Sequence, residues 1–138
     1  MKIKLIDFGY DKAPERKHYN DTGADVYVKG DHRILCGKTK VIPCGFGIDL
    51  PDGYNAHFQT RTSVAKRGLI VQQCAIDAGY KGELHMIVTN ISDEAQNIWD
   101  GDRIAYLEVY PIVYADFVKE LGEERGTGAF GSTDEKKE

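Results

Sequence analysis

Short segments rich in β-branched and aromatic residues, cut apart by turn residues roughly every 8–15 positions, constrain this chain more than any other feature. The run Lys2-Ile3-Lys4-Leu5-Ile6-Asp7-Phe8 nearly alternates polar with apolar, as a strand with one wet face does. Further strand-like runs fall at 24–28, 39–43, 47–50, 54–60, 69–76, 83–90 and 103–113, with Pro51-Asp52-Gly53 a strong turn between two of them. Pro111 suggests an edge or a bulge in the last run. One short helical turn is expected at 62–67, with Thr62 or Ser63 as N-cap and Gly68 as its stop. This spacing points to an all-β barrel or jelly roll rather than βαβ units.

The 138 residues suit one domain that can bury a core without staples. No run approaches the ~20 apolar residues of a membrane span. The N-terminal stretch lacks a secretory apolar core and carries an early acid, so an intracellular, cytoplasmic protein is expected. Cys36, Cys44 and Cys74 are odd in number and lack CxxC spacing; they read as free thiols, each a small buried apolar residue. A net charge of −4 argues against a nucleic-acid partner. It also requires any polyanionic substrate to find local basic residues or a metal.

The chemistry-bearing motifs lie in the second half. Ile76-Asp77-Ala78-Gly79-Tyr80-Lys81-Gly82-Glu83 reads as a compact hairpin presenting one carboxylate beside one aromatic ring. Arg61 precedes a helix start carrying Thr62 and Ser63, a ready anion site. From residue 114 onward glycine, acids and small residues dominate, a composition that cannot order itself by burial. Yet Arg125-Gly126-Thr127-Gly128-Ala129-Phe130-Gly131-Ser132-Thr133 sets an arginine, an aromatic and two hydroxyls among glycines. These are parts of a nucleotide polyphosphate site: a base, a platform for the sugar, a cover for the nucleobase and donors for phosphate.

The literal GxGxxG at 126–131 lacks the surrounding βαβ unit and is not a dinucleotide fingerprint. The same run lacks the Walker lysine. What remains is that glycines let backbone N–H groups approach phosphate closely. His18, His32, His57 and His85 show no zinc-site spacing.

Five motifs then recur in one order: Thr22-Gly23-Ala24-Asp25-Val26, Arg61-Thr62-Ser63-Val64-Ala65, Ala75 to Gly82, Gly101-Asp102-Arg103-Ile104-Ala105, and Arg125 to Thr133. In this the chain resembles the trimeric dUTPases (deoxyuridine triphosphate nucleotidohydrolases) from about residue 20 to residue 133. The resemblance implies a jelly-roll-like (β-clip) homotrimer. A β domain at 1–121 would be followed by a flexible arm at 122–138 that closes a neighbouring subunit's site. It implies Mg²⁺-dependent hydrolysis of dUTP to dUMP and pyrophosphate, which limits uracil in DNA and supplies dUMP for thymidylate synthesis. Asp77 would activate the attacking water, and Tyr80 would pack on the deoxyribose and exclude a 2′-hydroxyl. The backbone around 72–79, with Cys74 and Ile76, would meet the uracil edge. Arg61, Thr62 and Ser63 would bind phosphate, and Asp25 would reach the metal through water. Arg125, Gly131, Ser132 and Thr133 would close on the terminal phosphates, with Phe130 stacked on the base. Asp102 and Arg103 would be structural, near the subunit contact.

The chain departs from the family pattern at Thr60 (proline), Thr62 (serine), Cys74-Ala75 (Gly-Val), Tyr106 (glutamine) and Asp134 (glycine). The related dCTP deaminases carry a catalytic glutamate three residues before an asparagine matching Asn90; Ile87 stands there and cannot shuttle protons. A third reading is a regulatory protein that senses nucleotide through an ordering tail.

Overall fold

A computed structural model describes residues 1–122. The described residues form ten strands and one short helix. In chain order the strands are β1 (Lys4–Asp7), β2 (Ala24–Tyr27), β3 (His32–Ile34), β4 (Thr39–Pro43), β5 (Phe46–Asp49) and β6 (Tyr54–Thr60). After helix α1 (Thr62–Lys66) come β7 (Leu69–Val71), β8 (His85–Asn90), β9 (Gln96–Ile98) and β10 (Arg103–Pro111). The all-β expectation holds. The closed barrel does not: the strands make four small antiparallel sheets, β1-β5, β2-β10-β6, β3-β9 and β4-β8-β7. Strands of three to five residues dominate, too short to carry one continuous ladder around a closed wall.

Period-two patterning builds the core. Along β8, Met86, Val88 and Asn90 are buried while His85, Ile87 and Thr89 face outward. Phe46, Ile42, Leu69, Met86, Ile98 and Ile104 are almost wholly covered and lie between the sheets. The strands β3 and β9 escaped the sequence reading. Each is three residues long and polar, and each pairs only with the other, so neither has a periodic signature.

Three expectations shift. The run 69–76 is a strand only through Val71. There Thr60 Oγ1 accepts from Val71 N (2.9 Å) and donates to Val71 O (3.1 Å). The chain then leaves the β4-β8-β7 sheet to bridge β6. The helix N-cap is Arg61, not Thr62 or Ser63, and no side chain caps it; Arg61 O takes the Ala65 N–H at 2.9 Å. Gly68 ends the helix as read, at φ +88°. Finally, β10 stops at Pro111, and its irregularity lies at the other end, between Arg103 and Ala105. Pro111 pairs only with Tyr54 of β6, beyond the reach of β2, so its missing N–H costs no ladder bond.

Asn90 is the buried polar residue of this core. Its amide nitrogen donates to Ile34 O (2.9 Å) and Glu94 O (2.8 Å), and its oxygen accepts from Ser92 N (2.9 Å) and Ser92 Oγ (2.6 Å). All four positions of the amide are filled, tying β8 to β3 and to the following loop. Asn90→Leu orphans the backbone partners as well as the amide's place. It is expected to cost about 3 kcal/mol in urea unfolding, whereas removal of an exposed hydrogen bond costs about 1.

Candidate active site

Ile76 positions everything around Asp77. It is a nearly buried apolar residue inside a polar connection, and it forms an isolated antiparallel bridge to Ala56 of β6. Ala56 N donates to Ile76 O at 3.1 Å, and Ile76 N donates to Ala56 O at 2.8 Å. With Ile76 fastened, Asp77 is pushed out to solvent. The chain then turns back, the Tyr80 N–H closing on Asp77 O at 3.0 Å. The expected hairpin is therefore a tight turn within the long β7–β8 connection, with only one rung on β6.

Two glycines decide where Tyr80 lies. A Cβ on Gly82 would stand 2.6 Å from the Tyr80 hydroxyl, and a Cβ on Gly47 would stand 2.4 Å from Gly82 O. The backbone of β5 thus supports Gly82, and Gly82 supports the ring. The Tyr80 hydroxyl donates to Glu83 O at 2.7 Å, leaving the ring half exposed. Lys81 anchors the turn from outside, its ammonium donating to Asp49 Oδ1 (2.7 Å) and to Ala78 O (3.0 Å). The Lys81 hydrogen bond, with its charge, holds the Asp49 carboxyl below its ordinary pKa. Glu83 Oε2 accepts the Gly45 N–H at 2.9 Å and closes the far side.

The result is a cleft of about 280 Å³. Cys74, Ile76, Asp77 and Tyr80 all line it, as expected from sequence. Gln72 and Glu83, at the two ends of the motif stretch, line it too, and so do Phe58 and His85, which no sequence motif singles out. Phe58 arrives from β6, far in sequence from the Asp77 turn, and His85 from the start of β8. Ile87, singled out as the residue standing where a deaminase has glutamate, also lines the cleft.

Arg61, Thr62, Ser63 and Asp25 do not line this cleft. Arg61 and Asp25 are linked elsewhere, through Arg103. Arg103 Nη1 meets Asp25 Oδ2 at 3.0 Å, and Arg61 Nη1 donates to Arg103 O at 2.8 Å. The Asp102 carboxylate accepts the Trp99 N–H at 2.8 Å. Among the described residues no group of three or more His, Cys, Asp or Glu side chains could hold a metal by itself. Arg125, Phe130, Gly131, Ser132 and Thr133 lie outside the described residues. All three cysteines are free thiols, but only Cys44 is buried. Burial pushes the Cys44 thiol up to about 12, with the Glu83 charge adding to it, so it is no nucleophile at neutral pH. Cys36 and Cys74 are exposed, against the expectation of burial, because each sits in a connection rather than on a core face.

The dUTPase family model matches residues 10–134 of this chain. The deoxyuridine 5′-triphosphate nucleotidohydrolase of Clostridium tetani is 37% identical over 139 residues, covering 96% of this chain and 95% of the relative. The chain belongs to the dUTPase family. Its fold is also that of solved dUTPases. That of phage phi11 of S. aureus, a point mutant with a structural Mg(II) ion, superposes with TM-score 0.79 at 22% identity, over 89% of this chain and 98% of that one. That of Staphylococcus bacteriophage 80alpha, a point mutant with dUpNHpp, gives 0.78 at 22%, over 89% and 97%.

A dUTPase built this way depends on the closeness of β5 to the turn. Gly47→Ala sets a methyl against backbone rather than against a movable side chain. It is expected to destabilise by about 1–3 kcal/mol in urea melts. Gly79, in the same turn, has open space at its Cβ. Gly79→Ala is expected to shift stability by less than about 0.5 kcal/mol.

Proposed function

We propose that this member of the dUTPase family hydrolyses dUTP to dUMP and pyrophosphate, with water attacking the α-phosphorus and Asp77 taking its proton. The observation that carries the reading is the pairing, in one cleft, of an exposed carboxylate on a fastened turn with a tyrosine ring held in place by two glycines. In-line attack by water needs a base within hydrogen-bond reach and charges placed to meet the triphosphate. The ring of Tyr80 packs against the deoxyribose and leaves no room for a 2′-hydroxyl. Residues 73–75 belong to no strand, so their backbone groups are suited to pair with the uracil edge. Cytosine would put an amino group where a donor stands, the kind of mismatch that sites of this sort reject by factors on the order of 10⁴. Ile87 in the cleft offers no proton relay for deamination.

The phosphate chain leaves the cleft toward Arg61, Thr62 and Ser63. None of these three lines the cleft that holds Asp77 and Tyr80, which supports a homotrimer whose sites are shared between subunits. Val113, Phe117 and Leu121 support the same reading: they are 89%, 97% and 93% exposed, on a stretch that leaves the core without a cover. An apolar groove of about 570 Å³, lined by Ile3, Leu5, Tyr54, Leu107 and Val109 among others, is of a kind to receive such a stretch from another copy. The arm from residue 122 onward would carry Arg125, Gly131, Ser132 and Thr133 to the terminal phosphates and Phe130 over the base of a neighbouring site. Asp25 is a single hard oxygen donor beside the Arg61 cluster. That suits Mg²⁺, which keeps most of its waters and binds chiefly through phosphate oxygens. When bound, Mg²⁺ supplies neutralisation of the triphosphate charge. Asp25 would hold it through water. Chemistry on a free nucleotide pool supports a cytoplasmic enzyme.

Pyrophosphate release from dUTP, dCTP, dTTP and UTP tests the assignment. Turnover of dUTP alone is expected; equal rates with UTP would sink the role of Tyr80. Asp77→Asn is expected to retain nucleotide binding while kcat falls by roughly 10²–10⁴. Chelation by EDTA should stop turnover, and added Mg²⁺ should restore it. Truncation before Arg125 should leave a trimer in sedimentation with little activity; full activity would remove the arm from the mechanism.

A further inference from the structure

Asp77 has a partner across the sheet. The bridge between Ala56 and Ile76 is antiparallel, so one step along it Asn55 of β6 faces Asp77. On its other side Asn55 stands opposite Tyr110 of β10. Strands β10 and β6 and the segment bridged to β6 thus line up Tyr110, Asn55 and Asp77 in one row, and the side chains follow that row. The Tyr110 hydroxyl donates to Asn55 Oδ1 at 3.3 Å, and Asn55 Nδ2 donates to Asp77 Oδ1 at 3.4 Å.

The chain of bonds has a direction. A tyrosine hydroxyl gives its one proton to the amide oxygen, which turns the amide nitrogen toward the carboxylate. Asn55 therefore presents a donor, and not an acceptor, to Asp77. The next row holds this arrangement in place. His57 and Glu108, also opposite each other, form a half-buried pair, and the His57 ring packs on the Tyr110 ring with centroids 4.7 Å apart. One row further, Gln73 Nε2 donates to Gln59 Oε1 at 2.9 Å, again across the line between β6 and the Asp77 segment.

We infer that Asn55, oriented by Tyr110, is a positioning residue for Asp77. It engages one carboxylate oxygen and leaves the other to face the attacking water. The group is neutral, so it fixes the rotamer of the base without adding a charge to a site that must admit a polyanion. The inference rests on the reading of Asp77 as the base. Nothing in the segment around Asp77 announces it, because Asn55 lies 22 positions away and meets Asp77 only through the bridge.

Steady-state kinetics on the full chain with dUTP and Mg²⁺ test it. Asn55→Ala is expected to lower kcat about 10-fold with KM within about 2-fold, since misplacing a catalytic group costs rate rather than ground-state binding. Tyr110→Phe, which removes one oxygen and leaves the ring on His57, should lower kcat by a smaller factor, about 3-fold, and carries the test if Asn55→Ala proves unstable. Asn55→Asp sets a second carboxylate against the first. It should move the acid limb of the kcat pH profile upward by about one pH unit, which a merely structural role would not do. In an Asp77→Asn background, Asn55→Ala should cost nothing further. The same fold-loss in both backgrounds, or wild-type kcat in both Asn55→Ala and Tyr110→Phe beside a crippled Asp77→Asn, would overturn the inference alone. Full activity of Asp77→Asn would remove the assignment of the base and this inference with it.

Discussion

Two backbone hydrogen bonds between Ala56 and Ile76 fasten the Asp77 turn to the body of the molecule. They are the one rung by which the long β7–β8 connection attaches to the β2-β10-β6 sheet. Burial of the Ile76 side chain favours the rung, since an apolar side chain in a polar connection gains roughly 1.5–3 kcal/mol on leaving water. Because successive residues point to opposite faces, fastening Ile76 inward sends Asp77 outward. The exposed carboxylate is thus a consequence of the buried isoleucine beside it.

The same economy of contact governs Tyr80. Its ring lies where it does because Gly82 and Gly47 leave no Cβ between the turn and β5. Close backbone approach is a use of glycine that does not require a positive φ, and neither residue has one. Lys81 and Glu83, the neighbours of Gly82, bond to Asp49 and to Gly45 N. The turn is therefore held from three sides while Asp77 and the Tyr80 ring stay exposed.

A division runs through the dUTPase residues of the single chain. The carboxylate and the ring share the cleft, whereas Arg61 is tied to Arg103 and, through it, to Asp25. Arg103, read from sequence as structural, is the link between two residues assigned to phosphate and metal. Its carbonyl holds the Arg61 guanidinium, and its own guanidinium holds the Asp25 carboxylate. Replacing the Arg103 side chain would free the Asp25 carboxylate, whereas the carbonyl that holds Arg61 belongs to the backbone and would stay.

The sequence alone determined the all-β class, the helix after Arg61 and the grouping of Cys74, Ile76, Asp77 and Tyr80, which line one cleft. These depend on local patterns: alternation, glycine stops and a contiguous turn, all of which are written in neighbouring residues. It misjudged the barrel, the N-cap, the length of β7 and the burial of Cys36 and Cys74, and it passed over β3 and β9, whose three residues each form strands only because the other is there. Only the tertiary structure decided that Asn55 faces Asp77, that His85 and Phe58 complete the cleft, and that Arg61 stands apart from it. Those facts follow from register between distant segments, and register is set by which apolar residues find a common core, a property of the whole chain and of no single stretch of it.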